Sequence, residues 1–261
     1  MNPFIFHLFG PFAISWYGFL VVTGVSLFLY FAYGDMRRSA IASTTQFFDC
    51  AAAGILGGLL GGKLLFIVTE FGDVSIACWQ DGAAILLGGF AILGAILGAI
   101  IGVVLMARAY KIDVIAALDL GGAYALIAHS VARLGCFISG CCYGMPVALS
   151  AFSVMYTHPS SLAPLHISLL PTQLIMSVVS LIGFFLCSWA YHFRGRRDGL
   201  TFSLYVLWES AARFIVDFWR GDRISVMYGL SVYQWVSLGI IGLMCLFLYS
   251  KVFAGKGKRR W

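Results

Sequence analysis

The sequence predicts an all-α polytopic membrane protein of about seven transmembrane helices, and three observations carry that prediction. The 261 residues are 61% apolar and only 11% charged, against roughly one quarter charged in an ordinary soluble domain. Seven apolar runs have the length needed to cross a bilayer, which is about 20 helical residues for a hydrocarbon core about 30 Å thick. Basic residues gather in alternate connections between the runs, the pattern of cytoplasmic loops under the positive-inside rule.

The runs lie at 14–33, 47–69, 83–107, 114–131, 169–191, 199–218 and 230–252. Arg37 and Arg38 follow the first, Arg108 and Lys111 the third, and Arg194, Arg196 and Arg197 the fifth. Lys251, Lys256, Lys258, Arg259 and Arg260 follow the last, whereas the connection after the second holds Glu70, Asp73 and Asp81 without Lys or Arg. This order places the N-terminus outside and the C-terminus in the cytoplasm. The formal charge of +6 therefore reads as a topological signal and not as a nucleic-acid footprint. No basic residue precedes the first run and no small-residue cleavage site directly follows it, so it is expected to remain as a helix and not to leave as a signal peptide. Residues 1–261 read as a single membrane domain, multi-pass and bathed in bilayer lipid.

The second and third runs carry Gly54, Gly57, Gly58, Gly61 and Gly62, then Gly88, Gly89, Gly94, Gly98 and Gly102, many at three- or four-residue spacing. Small residues at that spacing let helices approach closely in lipid. The polar stretch from Met145 to His166, with Pro146, His158, Pro159 and Pro164, reads as an external loop without regular helix, a candidate lid. Of seven cysteines, most sit inside apolar runs as small hydrophobes, but Cys136, Cys141 and Cys142 cluster in one segment. Their C-x4-C-C spacing lacks the paired short hairpins of a zinc site and contains no C-x-x-C. A Cys3His set with His129, a thiol–disulfide relay and compact filling of a tight turn all stay open, the last being the simplest, and no metal or other cofactor is expected.

Ionisable residues within apolar runs carry the chemistry. Arg133, in the segment His129 to Gly144, needs an anionic partner or a wet cavity, because a guanidinium in the bilayer is unfavourable by about 2.5–3.5 kcal/mol on insertion scales. In the sixth run Glu209, Arg213 and Asp217 stand four residues apart, with Arg220 a turn beyond, so a continuous helix sets them on one face. The set reads either as a self-satisfied Glu–Arg–Asp ladder or as a polar interior with a function. Arg133 and Arg213 together suggest a two-guanidinium clamp, whose planar forks suit the phosphate of a phospholipid. His129 precedes Arg133, and Glu209 precedes Arg213, by one helical turn, which makes both candidates to take a thiol or hydroxyl proton.

These residues resemble the prolipoprotein diacylglyceryl transferases. Arg133-Leu-Gly-Cys-Phe-Ile-Ser-Gly is similar to that family's G-R-x-G-N-F-x-N-G signature, and Trp16-Tyr17-Gly18 after Pro11 resembles its P-x-x-x-x-W-Y-G element. Gly61-Gly62-Lys63 resembles G-A-R, Pro171-Thr172-Gln173-Leu174 resembles H-P-S-Q-L, and Arg213 to Arg220 resembles R-F-x-x-E-x-x-R. Leu230-Ser231 with Gln234 is similar to the L-S-x-x-Q of the last span. The resemblance implies a seven-helix inner-membrane enzyme, without metal or nucleotide, that moves diacylglyceryl from phosphatidylglycerol to the lipobox cysteine of a preprolipoprotein and releases glycerol phosphate. It makes Arg133 and Arg213 the phosphate-binding and catalytic pair; Glu209 and His129 are further catalytic candidates by position alone, as replacements for family groups this sequence lacks. Expected substrate contacts are Tyr17, Arg133, Cys136, Gly144, Arg213, Asp217, Arg220 and Gln234.

Departures from the family pattern bear on the acceptor. The two signature Asn positions hold Cys136 and Ser139, and the following Glu position holds Cys141. A frequent His falls at Leu93, the His of H-P-S-Q-L at Leu170, and a cavity Tyr at Glu209. The alternatives are therefore a paralogue with a phospholipid donor and another thiol or hydroxyl acceptor, a lipid transporter, or a thiol-redox membrane protein. No internal repeat supports the transporter.

Overall fold

The computed structural model describes residues 2–9, 12–39, 41–70, 91–194 and 199–257. Among these residues the chain forms seven long helices: α1 (Trp16–Ser39), α2 (Thr44–Glu70), α3 (Ile92–Ala109), α4 (Val114–Ser139), α5 (Thr172–Arg194), α6 (Leu200–Val216) and α7 (Val232–Gly257). Five of them, α1, α2, α4, α5 and α7, are long and apolar enough to cross a membrane. The protein is thus an all-α membrane protein. Short antiparallel pairs fill the corners: β1 (Phe4–Phe9) with β2 (Phe12–Ser15), β3 (Val154–Met155) with β4 (Ser168–Leu169), and β5 (Ser225–Met227) with β6 (Leu230–Ser231). The expected acidic connection with Asp73 and Asp81, the start of the third run, and Arg196, Arg197, Lys258, Arg259 and Arg260 lie outside the described residues.

Local chemistry sets the helix ends. Ser43 and Gln46 form a capping box at α2: Gln46 N–H donates to Ser43 Oγ at 3.3 Å and Ser43 N–H to Gln46 Oε1 at 2.9 Å. Asp113 caps α4 by accepting from the Ile115 N–H at 2.9 Å. Gly140, with φ of 76°, ends α4 in the left-handed region that glycine reaches without steric cost.

Two compact units result. The second, Tyr33–Ala117, is built on α2 and α3, which run antiparallel with Gly57 facing Gly98 and Gly61 facing Gly94. A Cβ on any of these four glycines would fall onto a carbonyl oxygen of the opposite helix, so the glycines set the separation. The first unit, Met1–Ala32 with Leu118–Trp261, contains the polar helices. Ser130 Oγ donates to Ser177 O at 2.8 Å and Ser177 Oγ returns to Ser130 O at 2.9 Å, tying α4 to α5. Trp208 Nε1 donates to Val179 O at 3.0 Å, tying α6 to α5. Buried Asp119 accepts the Gly199 and Phe202 N–H groups at 2.8 and 2.9 Å, so α4 carries the carboxylate that caps α6.

Two expectations change. The fourth run was expected to end at 131, yet α4 continues to Ser139, because Arg133 and Gly135 interrupt the apolar run and not the hydrogen-bond ladder. Arg133 and Cys136 are therefore helical. In the sixth run the α-helix stops at Val216 and Asp217 opens a 3-10 turn to Trp219, so Asp217 keeps helical dihedrals while Arg220, with extended backbone, leaves the continuous helical spacing. The stretch from Met145 to His166 carries no helix, as expected. It is anchored by buried Tyr156, whose hydroxyl donates to Phe137 O at 2.7 Å.

Candidate functional site

The site lies wholly in the first unit. Arg133 from α4, Arg213 from α6 and Arg220 from the turn after it line one pocket with Cys142, Thr172, Gln173, Met176, Val216 and Asp217, and the space with its open mouth is about 230 Å³. The sequence paired two guanidiniums, and the fold adds a third.

The Glu–Arg–Asp ladder does not form. Glu209 turns instead to α4, where His129 Nδ1 lies 2.9 Å from its Oε2. His129 Nε2 in turn accepts from Arg133 Nε–H at 2.8 Å. An arginine Nε only donates, so Nε2 carries the lone pair and the proton resides on Nδ1, facing Glu209, with Ser180 Oγ at 3.2 Å. Both ring nitrogens are engaged, and the chain Glu209–His129–Arg133 fixes one edge of a buried guanidinium while its two terminal nitrogens stay out of that chain.

Asp217 is also committed elsewhere. It accepts from Ser231 Oγ at 2.5 Å and lies 3.7 Å from Arg223 Nε. Gln234, fully buried, braces the same corner: its Oε1 accepts from Ser231 N–H at 2.9 Å and Arg223 Nη2 at 3.1 Å, and its Nε2 donates to Phe214 O at 3.2 Å. Among the described residues Arg213 makes no hydrogen bond or ion pair; its guanidinium stacks over Tyr233 at 4.6 Å. Arg220 is held by Asp222 through two bonds, of 2.8 and 2.5 Å. Burial opposes its charge, but those bonds and the nearby Cys142 keep its pKa above the ordinary guanidinium range.

The turn after α4 forms the pocket wall. Thr172 Oγ1 donates to Cys142 O and Gln173 Nε2 to Cys141 O, each at 2.9 Å. Gly144 bridges to Arg220, and a Cβ there would strike the Leu170 carbonyl and the Thr172 methyl. Cys136 and Cys141, with Arg220 and Arg133, draw the Cys142 thiol below its usual pKa, while Cys136, Cys142 and burial push Cys141 above it. Tyr17 lies against Gly135 at the start of α1, beside Cys136 and outside the pocket lining.

Of the residues singled out from sequence, Arg133, Arg213, Arg220 and Asp217 line the pocket. His129, Glu209 and Gly144 support it, Gln234 and Asp217 brace its far corner, and Cys136 lies behind the turn with Tyr17. Asp222, Arg223, Ser180 and Tyr233 were missed. Tyr233, next to the matched Gln234, and Asp222 and Arg223, just beyond the matched Arg220, stood near recognisable motifs.

A family model described as prolipoprotein diacylglyceryl transferase matches residues 3–250. The chain belongs to that family. Among its relatives is a phosphatidylglycerol–prolipoprotein diacylglyceryl transferase of Clostridium tetani, 36% identical over 241 residues, covering 91% of this chain and 93% of the relative. A second, phosphatidylglycerol–prolipoprotein diacylglyceryl transferase 2 of Clostridium perfringens, is 32% identical and covers 93% and 92%. One from Dehalococcoides mccartyi is 31% identical and covers 93% and 91%. Family membership thus rests on nearly the whole length, well beyond the arginine helix.

Proposed function

We propose that this protein transfers the diacylglyceryl group of phosphatidylglycerol to the lipobox cysteine thiol of a preprolipoprotein, releasing glycerol phosphate. The observation that carries the reading is the three-guanidinium pocket in which Arg213 has no anionic partner among the described residues. A half-buried cation without an anion is unfavourable, and a lipid phosphate removes that cost. The relatives' names supply the donor and acceptor classes.

In this reading the acceptor thiolate attacks the glyceryl carbon, a carbon–sulfur bond forms, and the carbon–oxygen bond to phosphate breaks with its electron pair on the departing oxygen. Arg133 and Arg213 face the charge that grows there, where fixed donors in a dry pocket stabilise the transition state more than water does. Arg220, fixed by Asp222, completes the cationic rim of the pocket at short range. Glu209 and His129 act as positioning residues that hold Arg133, not as acid and base, since the His129 Nε2 lone pair is already occupied. Gly144 shapes the wall, Tyr17 and Cys136 back it from behind, and Asp217 and Gln234 hold the corner that presents Arg213.

The same reading places seven helices across a bacterial inner membrane, the N-terminus outside and the C-terminus cytoplasmic. The charge pattern and the apolar lengths support it. The family match runs through both compact units, which supports treating residues 1–261 as one functional domain.

Purified protein in phosphatidylglycerol-containing nanodiscs, incubated with a lipobox peptide, is expected to yield diacylglyceryl-peptide and glycerol phosphate by mass spectrometry. Arg133→Ala/Arg213→Ala is expected to yield neither. Glycerol phosphate without modified peptide would move the acceptor elsewhere, and no release from the wild type would end the assignment.

A further inference from the structure

We propose that Cys136, Cys141 and Cys142 form a three-thiolate site for one zinc-class cation, with its fourth coordination position left open. The sequence spacing argued against metal, because C-x4-C-C offers no paired hairpins. The folded turn supplies what the spacing does not: all three Sγ atoms lie within 4.8 Å of one another. A tetrahedral zinc with bonds of about 2.3 Å spaces its sulfurs by about 3.8 Å, so each sulfur needs to move by only about half an ångström.

The convergence is built by neighbouring residues. Neighbouring side chains on an extended strand point to opposite faces, but Cys142 adopts a φ of 57°, a left-handed backbone that breaks this alternation. The turn is held in that shape from outside, by Thr172 on the Cys142 carbonyl and Gln173 on the Cys141 carbonyl. Cys136 is buried on α4 and closes the triangle. Compact turn filling explains a small apolar residue at each position, but not the convergence of three soft donors.

Charge points the same way. A divalent cation with three thiolates has net charge −1, and Arg133 and Arg220 act on these sulfurs with positive potential. Soft thiolates select zinc and cuprous ions over hard cations. Among the described residues no His, Asp or Glu joins the three sulfurs, so the fourth ligand comes from solvent or from a substrate atom. Cys142 also lines the arginine pocket, which puts the cation at the edge of the anion site. Binding forms three metal–sulfur bonds and releases the thiol protons to solvent.

The test uses the full chain in detergent with Cys50, Cys78, Cys187 and Cys245 changed to Ala, so that only these three thiols remain. After chelator treatment under reducing conditions, zinc is titrated against a chromophoric chelator and thiols are counted with a disulfide reagent. The expected result is one zinc per chain, protection of all three thiols, and a thiolate charge-transfer band when cadmium replaces zinc. In the wild-type background, Cys136→Ser, Cys141→Ser and Cys142→Ser together are expected to weaken binding at least about 100-fold; circular dichroism and gel filtration confirm the fold. Zinc below one tenth of an equivalent, three thiols that stay reactive with zinc present, or a disulfide among these cysteines in protein isolated without reductant would each overturn the proposal. The readout is metal binding, so it stands or falls independently of diacylglyceryl transfer.

Discussion

Replacing His129 separates a positioning role from a proton-transfer role. In the structure its Nε2 accepts the Arg133 Nε–H at 2.8 Å while Nδ1 faces Glu209 at 2.9 Å. His129→Ala deletes both bonds and leaves a buried guanidinium edge without an acceptor. A hydrogen bond to a charged group contributes about 1.5–3 kcal/mol, so if Arg133 loses that much alignment in the transition state, kcat/KM falls roughly 10- to 150-fold. His129→Gln offers an acceptor and a donor on one planar amide but titrates nowhere near neutral pH. It is expected to recover most of that loss, to within about fivefold of wild type, with an unchanged pH profile. The assay is initial-rate release of glycerol phosphate from phosphatidylglycerol between pH 6 and 9, on protein whose thermal unfolding matches wild type. A His129→Gln variant as inactive as His129→Ala, with the pH dependence lost, would show that the imidazole moves a proton and would refute the positioning argument.

Four further outcomes are expected. Arg213→Lys keeps the charge but not the planar fork over Tyr233, and kcat/KM is expected to fall at least about 10-fold, with Arg213→Ala falling about 100-fold or more by the same release assay. Asp119→Ala removes the carboxylate that accepts two backbone N–H groups at the start of α6, and is expected to cost about 2–3 kcal/mol in detergent unfolding, with Asp119→Asn costing less. Gly98→Leu puts a side chain onto the Gly57 carbonyl and is expected to lower the unfolding temperature and the yield, while Gly239→Leu, where an added Cβ meets nothing within 4 Å, is expected to leave both unchanged. For topology, green fluorescent protein fused to the C-terminus is expected to fluoresce and alkaline phosphatase at the same point to stay inactive; the reverse would invert the orientation.

The fold class was legible because bilayer length and charge asymmetry are strong, local signals, and each of the seven apolar runs overlaps a helix among the described residues. Helix ends were less legible. The fourth run seemed to stop where Arg133 entered it, but a polar residue interrupts hydropathy without interrupting a backbone ladder that continues to Ser139. In the site, Arg133 and Arg213 could be singled out because charges inside apolar runs demand a reason. Their partners could not. Helical spacing joins Glu209 to Arg213 equally well on paper, and only the packing of α6 against α4 hands Glu209 to His129, eighty residues away in sequence. Likewise the spacing of Cys136, Cys141 and Cys142 says little, since their convergence depends on a left-handed backbone at Cys142 and on donors from Thr172 and Gln173.

The glycine contact between α2 and α3 has a mechanical consequence. Lipid tails solvate apolar side chains as well as a neighbouring helix does, so two membrane helices gain little from burial and must hold by close backbone contact. With Gly57 against Gly98 and Gly61 against Gly94, the helices touch main chain to main chain over several turns, near enough for Cα–H groups to meet carbonyl oxygens. Interlocked backbones have no rotamers through which to yield. The pair should therefore act as a stiff plate that detaches whole under load, and pulling the chain from its C-terminus in a bilayer should extract α3 and α2 in one force step.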